Sequence, residues 1–241
     1  MNNESNDLNS CLDCRKCPVF RESVFQDFNK ELIEHLNKEK TTRQYKKADF
    51  IFNQGKRVEG LFCHSVGLVK INQIDKNGNT RFTRLVLPSD TSGHRSLFVQ
   101  EIYKGTAQVV SETATVCFVP TEMISFFLSK NVSFAKNLIA RISRELHNAE
   151  ENHIAKKEKT VRGRLAELLC QLARTYADEI GPNQFMLKSE ITKKEIAQLL
   201  LAADETVIRI MSEMQKDNLI TYVGRRLLIT DFSSMEKAAK H

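Results

Sequence analysis

The chain has 241 residues, of which 41% are hydrophobic and 27% are charged, so it can bury a substantial core and form two modest domains. Its formal net charge of +6 favours polyanionic partners only weakly, because many ordinary proteins carry a similar excess. The polar, acidic start and the lack of any run of ~20 apolar residues argue against a signal peptide and a membrane span, and predict a cytoplasmic protein without a membrane partner.

The first segment, residues 1–22, is distinguished by its cysteines. Cys11, Cys14 and Cys17 are separated by only two residues each, and in a reducing cytosol clustered thiols are better interpreted as metal ligands or redox groups than as disulfides. Three thiolates at this spacing suit three corners of an iron–sulfur cluster or a zinc site, either of which needs a fourth ligand. We expect this segment to be irregular unless a ligand orders it.

Short β-rich runs follow within residues 50–120 and predict a small antiparallel barrel or sandwich, which we assign to residues 23–133. The strongest turn signal between them is residues 75–79, where Asn-Gly tolerates positive φ angles. The runs that predict strands are 61–63, 66–71, 81–87, 107–110 and 116–119.

An apolar stripe with spacings of three and four, beginning at Phe134, predicts a long helix over residues 134–158. A narrow stripe on a long helix suits a partner helix, so a coiled-coil dimer is one interpretation and packing against the chain's own barrel is the other. The candidate dimerisation residues are Leu138, Ile142, Leu146, Ala149 and His153. A second amphipathic helix follows, and we expect it to end at Gly181-Pro182.

Residues 191–231 have the pattern of a winged helix-turn-helix. Thr192 and Glu195 form a capping box that starts one short helix, and Asp204 can cap a second helix that runs to residue 217. The second helix of this motif lies in the major groove, with its N-terminal residues against base edges. Two apolar runs around Gly224-Arg225 then predict a hairpin wing.

Glu205 and Arg209 are the candidate base-reading residues. A glutamate can accept a bond from cytosine, an arginine can donate two to guanine, and at a spacing of four the two can hold each other in place. A surface ion pair on a structural winged helix is the alternative interpretation. Beside them, Asp204, Thr206 and Ile208 are candidates for further base contacts, and Ser212, Lys193, Lys194 and Arg225 for phosphate contacts.

The order of barrel, long helix and head, with Ile-Thr-Lys-Lys-Glu-Ile-Ala-Gln-Leu at 191–199 and Glu-Thr-Val-Ile-Arg at 205–209, resembles the CRP/FNR family of bacterial transcription regulators over nearly the whole chain. The resemblance implies an α+β fold: a cyclic-nucleotide-binding-like jelly roll, a dimerisation helix, and a winged helix-turn-helix over residues 159–241. It also implies a homodimer that binds palindromic double-stranded DNA and acts with RNA polymerase. Asp204 and Ile208 differ from the residues of relatives, so the resemblance does not specify the operator.

The resemblance also bears on which ligand or chemical signal the protein senses. The cyclic-nucleotide branch of the family holds phosphate with a glutamate and an arginine, but His94 and Gly105 stand at those positions. A cyclic phosphate would lack its charge-assisted clamp, so we do not expect cAMP binding. Arg95 or Lys104 could serve another anion, although surface residues are the simpler interpretation.

In the FNR-like branch the fourth cluster cysteine lies in a stretch that resembles residues 112–120, which implies a [4Fe-4S] cluster held by Cys11, Cys14, Cys17 and Cys117 that senses oxygen or nitric oxide. Zinc, haem, a thiol switch or a small ligand in the barrel are the alternative sensors. Cys117 can also be a buried strand cysteine, and Cys63 and Cys170 are predicted to be buried apolar cysteines without a role.

A redox or ligand-binding protein that does not regulate transcription is the alternative class of function. An enzyme is not expected, because the phosphate-binding loop, nucleophile elbow and HExxH motifs are missing.

Overall fold

The computed structural model describes residues 13–99 and 101–240, apart from the side chains of residues 152–158. The predicted ligand Cys11 and the side chain of His153 therefore lie outside the described residues. The chain divides into two compact units, Met1–His147 and Asn148–His241. Within the described residues, no helix has the length and apolar character needed to cross a membrane.

The first unit starts with helical turns at Cys14–Lys16 and Phe20–Glu22, followed by helix α1 (Lys30–Glu39). Asp13 caps the first turn by accepting a hydrogen bond from the backbone N–H of Arg15. From residue 13 onwards this segment therefore has regular turns, where the sequence predicts irregular structure.

Eight strands of the described first unit form two four-stranded antiparallel sheets, ordered β1-β8-β3-β6 and β2-β7-β4-β5. This order is the jelly roll, which confirms the predicted fold class. The strands are β1 (Thr41–Lys46), β2 (Phe50–Phe52), β3 (Gly60–Val66), β4 (Val69–Ile74), β5 (Thr80–Val86), β6 (Thr91–Ser92), β7 (Thr106–Val109) and β8 (Thr113–Pro120).

One predicted strand, residues 66–71, is in fact two. The chain turns between β3 and β4 at Gly67, whose φ is +88°. A Cβ atom there would lie 2.3 Å from the carbonyl oxygen of Thr113, so only glycine fits. The predicted hairpin between β4 and β5 is confirmed: the Asp75 carboxylate accepts bonds from the backbone N–H groups of Asn77 and Asn79, both at 2.9 Å.

Three helices complete the first unit: α2 (His94–Val99), α3 (Thr121–Lys130) and the long α4 (Val132–Glu158), which continues into the second unit. The start of α4 packs into the core, where Phe134 and Leu138 are only 1% and 3% exposed. Leu138 is therefore wrong as a dimerisation residue, because its side chain already lies inside its own unit. Ile139, beside it, is 63% exposed instead.

The second unit begins with helix α5 (Val161–Tyr176), which ends well before Gly181-Pro182. The sequence analysis missed the hairpin that follows, β9 (Ala177–Gly181) and β10 (Gln184–Leu187). Its first strand is mostly exposed and polar, so it has no apolar alternation that would reveal a strand.

The predicted winged helix-turn-helix is confirmed as α6 (Lys193–Leu200), α7 (Asp204–Lys216), β11 (Ile220–Val223) and β12 (Arg226–Ile229), followed by α8 (Phe232–Ala238). The capping box of Thr192 and Glu195 is present. Asp204 does not cap α7: the N-cap is Ala203, and Asp204 is the first helical residue. A carboxylate in this first turn still favours the helix dipole.

Candidate DNA interface and cysteine site

Helix α7 buries one face and exposes the other. Val207 and Met211 are fully buried, while the neighbouring Ile208 is 44% exposed and Glu205 and Arg209 are exposed. Because the buried face packs within the unit, the exposed face is held rigidly. An exposed carboxylate, guanidinium and branched apolar side chain on one face can read donors, acceptors and thymine methyl groups on base edges.

Arg209 does not pair with Glu205 as the sequence predicts. Its Nη1 lies 2.6 Å from Oε1 of Glu213, one turn further along α7. Glu205 stays in the first turn, where its carboxylate favours the positive end of the helix dipole. An exposed pair at this spacing contributes only about 0.3–0.5 kcal/mol, so DNA can replace Glu213 as the partner of Arg209 at little cost.

The candidate phosphate-binding residues lie around the wing and the start of α6. Lys193 Nζ lies 5.8 Å from the centre of the Tyr222 ring, which brings the start of α6 beside β11. Arg225, at the wing tip, has Nη1 at 3.8 Å from Glu190 and is 86% exposed. Lys194 is exposed. Together Lys193, Lys194 and Arg225 give the start of α6 and the wing a basic surface.

Two further residues of the head have internal partners. Ser212 Oγ donates to the carbonyl oxygen of Ile208 at 2.9 Å, so its hydroxyl is engaged within α7. Arg164 of α5 donates from Nη1 to the carbonyl oxygen of Leu200 at 2.9 Å, which caps the C-terminus of α6. This role of Arg164 is not predicted from the sequence, because its basic neighbours suggest only a solvated face.

A cavity of about 30 Å³ in the first unit, here called the cysteine cavity, brings together the three described residues of the predicted cluster: Cys14, Cys17 and Cys117. Cys63, predicted to have no role, lines the same cavity. The thiols are suitable donors for a soft metal site. No three or more His, Cys, Asp or Glu side chains in the described part of the chain are arranged to hold a metal ion.

The cysteine cavity also contains a lysine. Lys40 Nζ lies 4.0 Å from Cys117 Sγ, and Thr42 Oγ1 lies 3.4 Å from the same sulfur. Burial lowers the pKa of Lys40, but the negative charge of the Cys117 and Cys14 sulfurs outweighs it, so the net pKa is raised. Burial also raises the pKa values of Cys14 and Cys63, against a smaller opposing effect of the Lys40 charge.

His94 and Arg95, near the position of the family's phosphate clamp, form a largely buried ion cluster around Glu145 of α4. His94 Nε2 lies 3.1 Å from Glu145 Oε2, Arg95 Nε donates to the same oxygen at 2.8 Å, and Arg84 donates to the other oxygen. Burial raises the pKa of Glu145, but the His94 bond and the charges of Arg84 and Arg95 outweigh burial and lower it to about 2. Arg95 is thus a partner of Glu145 rather than a simple surface residue.

The Glu145 cluster gives a physical reason for expecting that cAMP does not bind. The carboxylate of Glu145 already neutralises the cationic side chains that an anionic ligand would need. An anion entering here would have to displace it, and would leave a buried carboxylate without its partners.

A jelly roll joined by a long helix to a winged helix-turn-helix, with an exposed polar face on the second helix, defines a class of proteins: DNA-binding transcription regulators with a cyclic-nucleotide-binding-type domain. Comparison with family models agrees. The Crp-like helix-turn-helix domain model matches residues 163–238, and the Cyclic nucleotide-binding domain model matches residues 42–131.

The chain is also similar to individual regulators. It is 28% identical to the Transcriptional activator protein Anr of Pseudomonas protegens, over 92% of this chain and 88% of that protein. It is 22% identical to the Anaerobic regulatory protein of Pasteurella multocida, over 93% and 81% respectively. The structure of FixK2 from Bradyrhizobium japonicum has a TM-score of 0.71 at 20% identity and covers 83% of this chain and 96% of that one. The chain belongs to the CRP/FNR family, and it is a transcription regulator and not an enzyme.

Proposed function

We propose that the protein works as a homodimer that binds a palindromic site in double-stranded DNA through α7 and the wing, with RNA polymerase as its further partner. The observation that carries this proposal is the exposed face of α7, where Glu205, Ile208 and Arg209 lie beside the basic surface of the wing. Asp204 and Thr206 adjoin them in the first turn, where the base contacts of such a helix concentrate.

The exposed apolar residues of α4 support the dimer. Ile139, Ile142 and Leu146 are 63%, 38% and 59% exposed, and they are spaced by three and four residues. Ala149 and His153 continue the same spacing in the sequence, which gives the heptad seam of a coiled coil. Two heads joined in this way can occupy half-sites one helical turn apart, ~34 Å.

Replacing Arg209 by alanine tests the assignment of the base-reading helix. A lost bidentate contact to guanine should weaken discrimination of that base by about 1–3 kcal/mol, roughly 5- to 150-fold per half-site. Selection of bound sequences from a random DNA pool, followed by fluorescence anisotropy, measures the change. The control is Lys216→Ala, which removes an exposed charge from the C-terminal turn of the same helix. Unchanged base preference for Arg209→Ala would contradict the assignment.

The proposed signal is oxygen or nitric oxide, sensed by a [4Fe-4S] cluster on Cys11, Cys14, Cys17 and Cys117. The three described thiols line one cavity, and thiolates are the usual ligands of such clusters. The name of the anaerobic regulatory relative favours the same signal. A bound cluster would supply oxygen-sensitive redox chemistry. The protein itself would hold the thiols and couple the position of the cysteine turns to α4.

Contacts of residues 24–27 provide a route from the cysteine cavity to the dimer helix. Phe25, which lines the cavity, stacks on Phe134 of α4 with ring centres 5.1 Å apart. Asn137 Nδ2 donates to the Val24 carbonyl at 3.3 Å and to Asp27 at 2.9 Å. A shift of the cysteine turns would therefore reach the base of α4, two residues before the exposed Ile139.

Anaerobic purification of the full chain, with absorption spectra and iron and sulfide analysis, tests the signal. We expect a brown protein with a broad band, and loss of iron when Cys14 and Cys17 are both replaced by serine, with Cys170→Ser as the control. A sharp Soret band would indicate haem instead, and bound zinc without iron would indicate a structural site. Neither result would alter the DNA-binding proposal, which has its own test.

A further inference from the structure

Cys63 and Cys117 lie side by side on adjacent strands of the sheet that forms one wall of the cysteine cavity. They are directly opposed in the antiparallel pairing of β3 with β8. Directly opposed residues have Cα atoms about 4.5–5.5 Å apart and side chains on the same face of the sheet. This separation falls within the range of about 4.4–6.8 Å that disulfides require.

The surrounding backbone fixes this geometry. Pairing continues without interruption from Gly60 with Pro120 to His64 with Val116, and the only irregularity follows His64. Both cysteines line the same cavity, and opposed residues have their side chains on the same face of the sheet. The two thiols can therefore approach each other by side-chain rotation alone.

The pair is also placed where a small oxidant can reach it. Cys63 is half-buried and Cys117 is 8% exposed, and the cavity between them has room for a molecule of about the size of water. Cys117 has polar neighbours, since Lys40 and Thr42 contact its sulfur. Such neighbours favour Cys117 as the thiol that reacts first.

We propose that Cys63 and Cys117 are a redox pair that forms a reversible cross-strand disulfide when a hydroperoxide enters the cysteine cavity. The Cys117 sulfur attacks the O–O bond of hydrogen peroxide, becomes a sulfenic acid and releases water. The Cys63 sulfur then attacks that sulfur, the S–S bond forms, the S–O bond breaks and a second water leaves. In total the two thiols lose two electrons and two protons, and the peroxide is reduced to two water molecules.

The disulfide would bear on metal binding, and this consequence alone rests on the proposed function. A Cys117 sulfur bonded to Cys63 is no longer a thiolate and cannot ligate a cluster. Peroxide would thus keep the metal-free protein from acquiring a cluster until a reductant restores the thiols. The pair itself needs no metal.

Peptide mapping of the metal-free full chain tests the pair directly. The protein is treated with a small molar excess of hydrogen peroxide, remaining thiols are blocked, and non-reduced digests are analysed by mass spectrometry. We expect one dominant disulfide-linked peptide that joins Cys63 to Cys117 and disappears after treatment with dithiothreitol. A dominant link between other cysteines, such as Cys14 and Cys17, or oxidation without any disulfide would overturn the proposal.

Variants provide the second measurement. Cys63→Ala should abolish the linked peptide and leave a sulfenic acid on Cys117 that dimedone traps, whereas Cys170→Ala, in the second unit, should leave the link unchanged. Mapping of the unaltered protein does not depend on the folding of either variant. Iron content after anaerobic reconstitution is measured separately, so a protein that binds no iron but forms the disulfide would fail the cluster proposal and support this one.

Discussion

Arg164 shows how one side chain can join two helices of the second unit. It reaches from α5 to the last turn of α6, where the carbonyl of Leu200 would otherwise lack a partner in the helix. The turn that follows contains Leu201 in the left-handed conformation, with φ +50°. The bond therefore holds the tight connection that sets the angle between α6 and α7.

Replacing Arg164 by alanine should lower the free energy of unfolding of the second unit by about 1–3 kcal/mol, because a charge-assisted bond is lost and a carbonyl is left unpaired. Arg174→Ala on the same helix is the matched control. Arg174 is 59% exposed where it pairs with Glu236, so its loss should cost at most about 1 kcal/mol. Urea unfolding followed by circular dichroism measures both; equal effects would show that the Leu200 bond is unimportant.

Helix α4 has different surroundings along its length. Its first turns are buried against the jelly roll through Phe134 and Leu138. Its middle is tied to β5 and α2 through Glu145, while Ile139, Ile142 and Leu146 remain exposed. One helix thus connects the core of the jelly roll, the ion cluster and the proposed dimer seam.

Ile142→Glu should weaken dimerisation at least tenfold, because each glutamate would face its own copy across an apolar seam. Sedimentation velocity measures the dissociation constant, and operator binding should weaken in parallel. Arg144→Glu introduces the same residue on an exposed position outside the seam and is the control. A dimer that tolerates glutamate at position 142 would place the interface elsewhere.

The Glu145 cluster predicts acid sensitivity of the contact between α4 and the jelly roll. The folded-state pKa of Glu145 is lowered from 4.5 to about 2, so its stabilisation is complete above pH 4.5 and is lost as the pH falls towards 2. The contribution at neutral pH is about 3 kcal/mol. The protection factors of the amide hydrogens in β5 and α2, which correct for the pH dependence of the intrinsic exchange rate, should fall over this pH range.

The same protection factors should be low already at pH 6 in Glu145→Gln, and they should change less below pH 4.5. Glu150→Gln, at an exposed position on the same helix, is the control and should behave as the unaltered protein does. If Glu145→Gln and the unaltered protein lost protection at the same pH, another group would be responsible.

At the scale of the whole molecule, the proposed dimer would bind DNA with charges from two winged helix-turn-helix units. The proposed phosphate-binding residues Lys193, Lys194 and Arg225 would give about three phosphate contacts per head, or about six per dimer, which corresponds to a slope of log K against log salt of about −5. Affinity should therefore fall by about 10³ between 50 and 200 mM salt.

Lys194→Ala should reduce this slope by about two, one contact per head, without changing base preference. Lys216→Ala should leave the slope unchanged. Titrations of an operator duplex at several salt concentrations measure both variants. A slope near −3 for the unaltered protein would instead fit binding by a single head.

Much of the architecture follows from the sequence because its signals are local. The capping box of Thr192 and Glu195, the Asn-Gly turn and the three-and-four spacing on α4 each act within one or two turns of chain, so they predict the elements correctly. The clustered cysteines and the pattern around Glu205 and Arg209 likewise identify candidate sites before any packing is known.

Only the tertiary structure decided which side chains meet. Leu138 and Ile139 are equally apolar, and packing against Phe134 and its neighbours rotates one inside and leaves the other exposed. Glu145 meets Arg84 and Arg95, and Cys63 is opposed to Cys117, across 50 or more positions of sequence. Such contacts depend on strand register and on how helices pack against sheets, and neither is encoded in the residues near the contact.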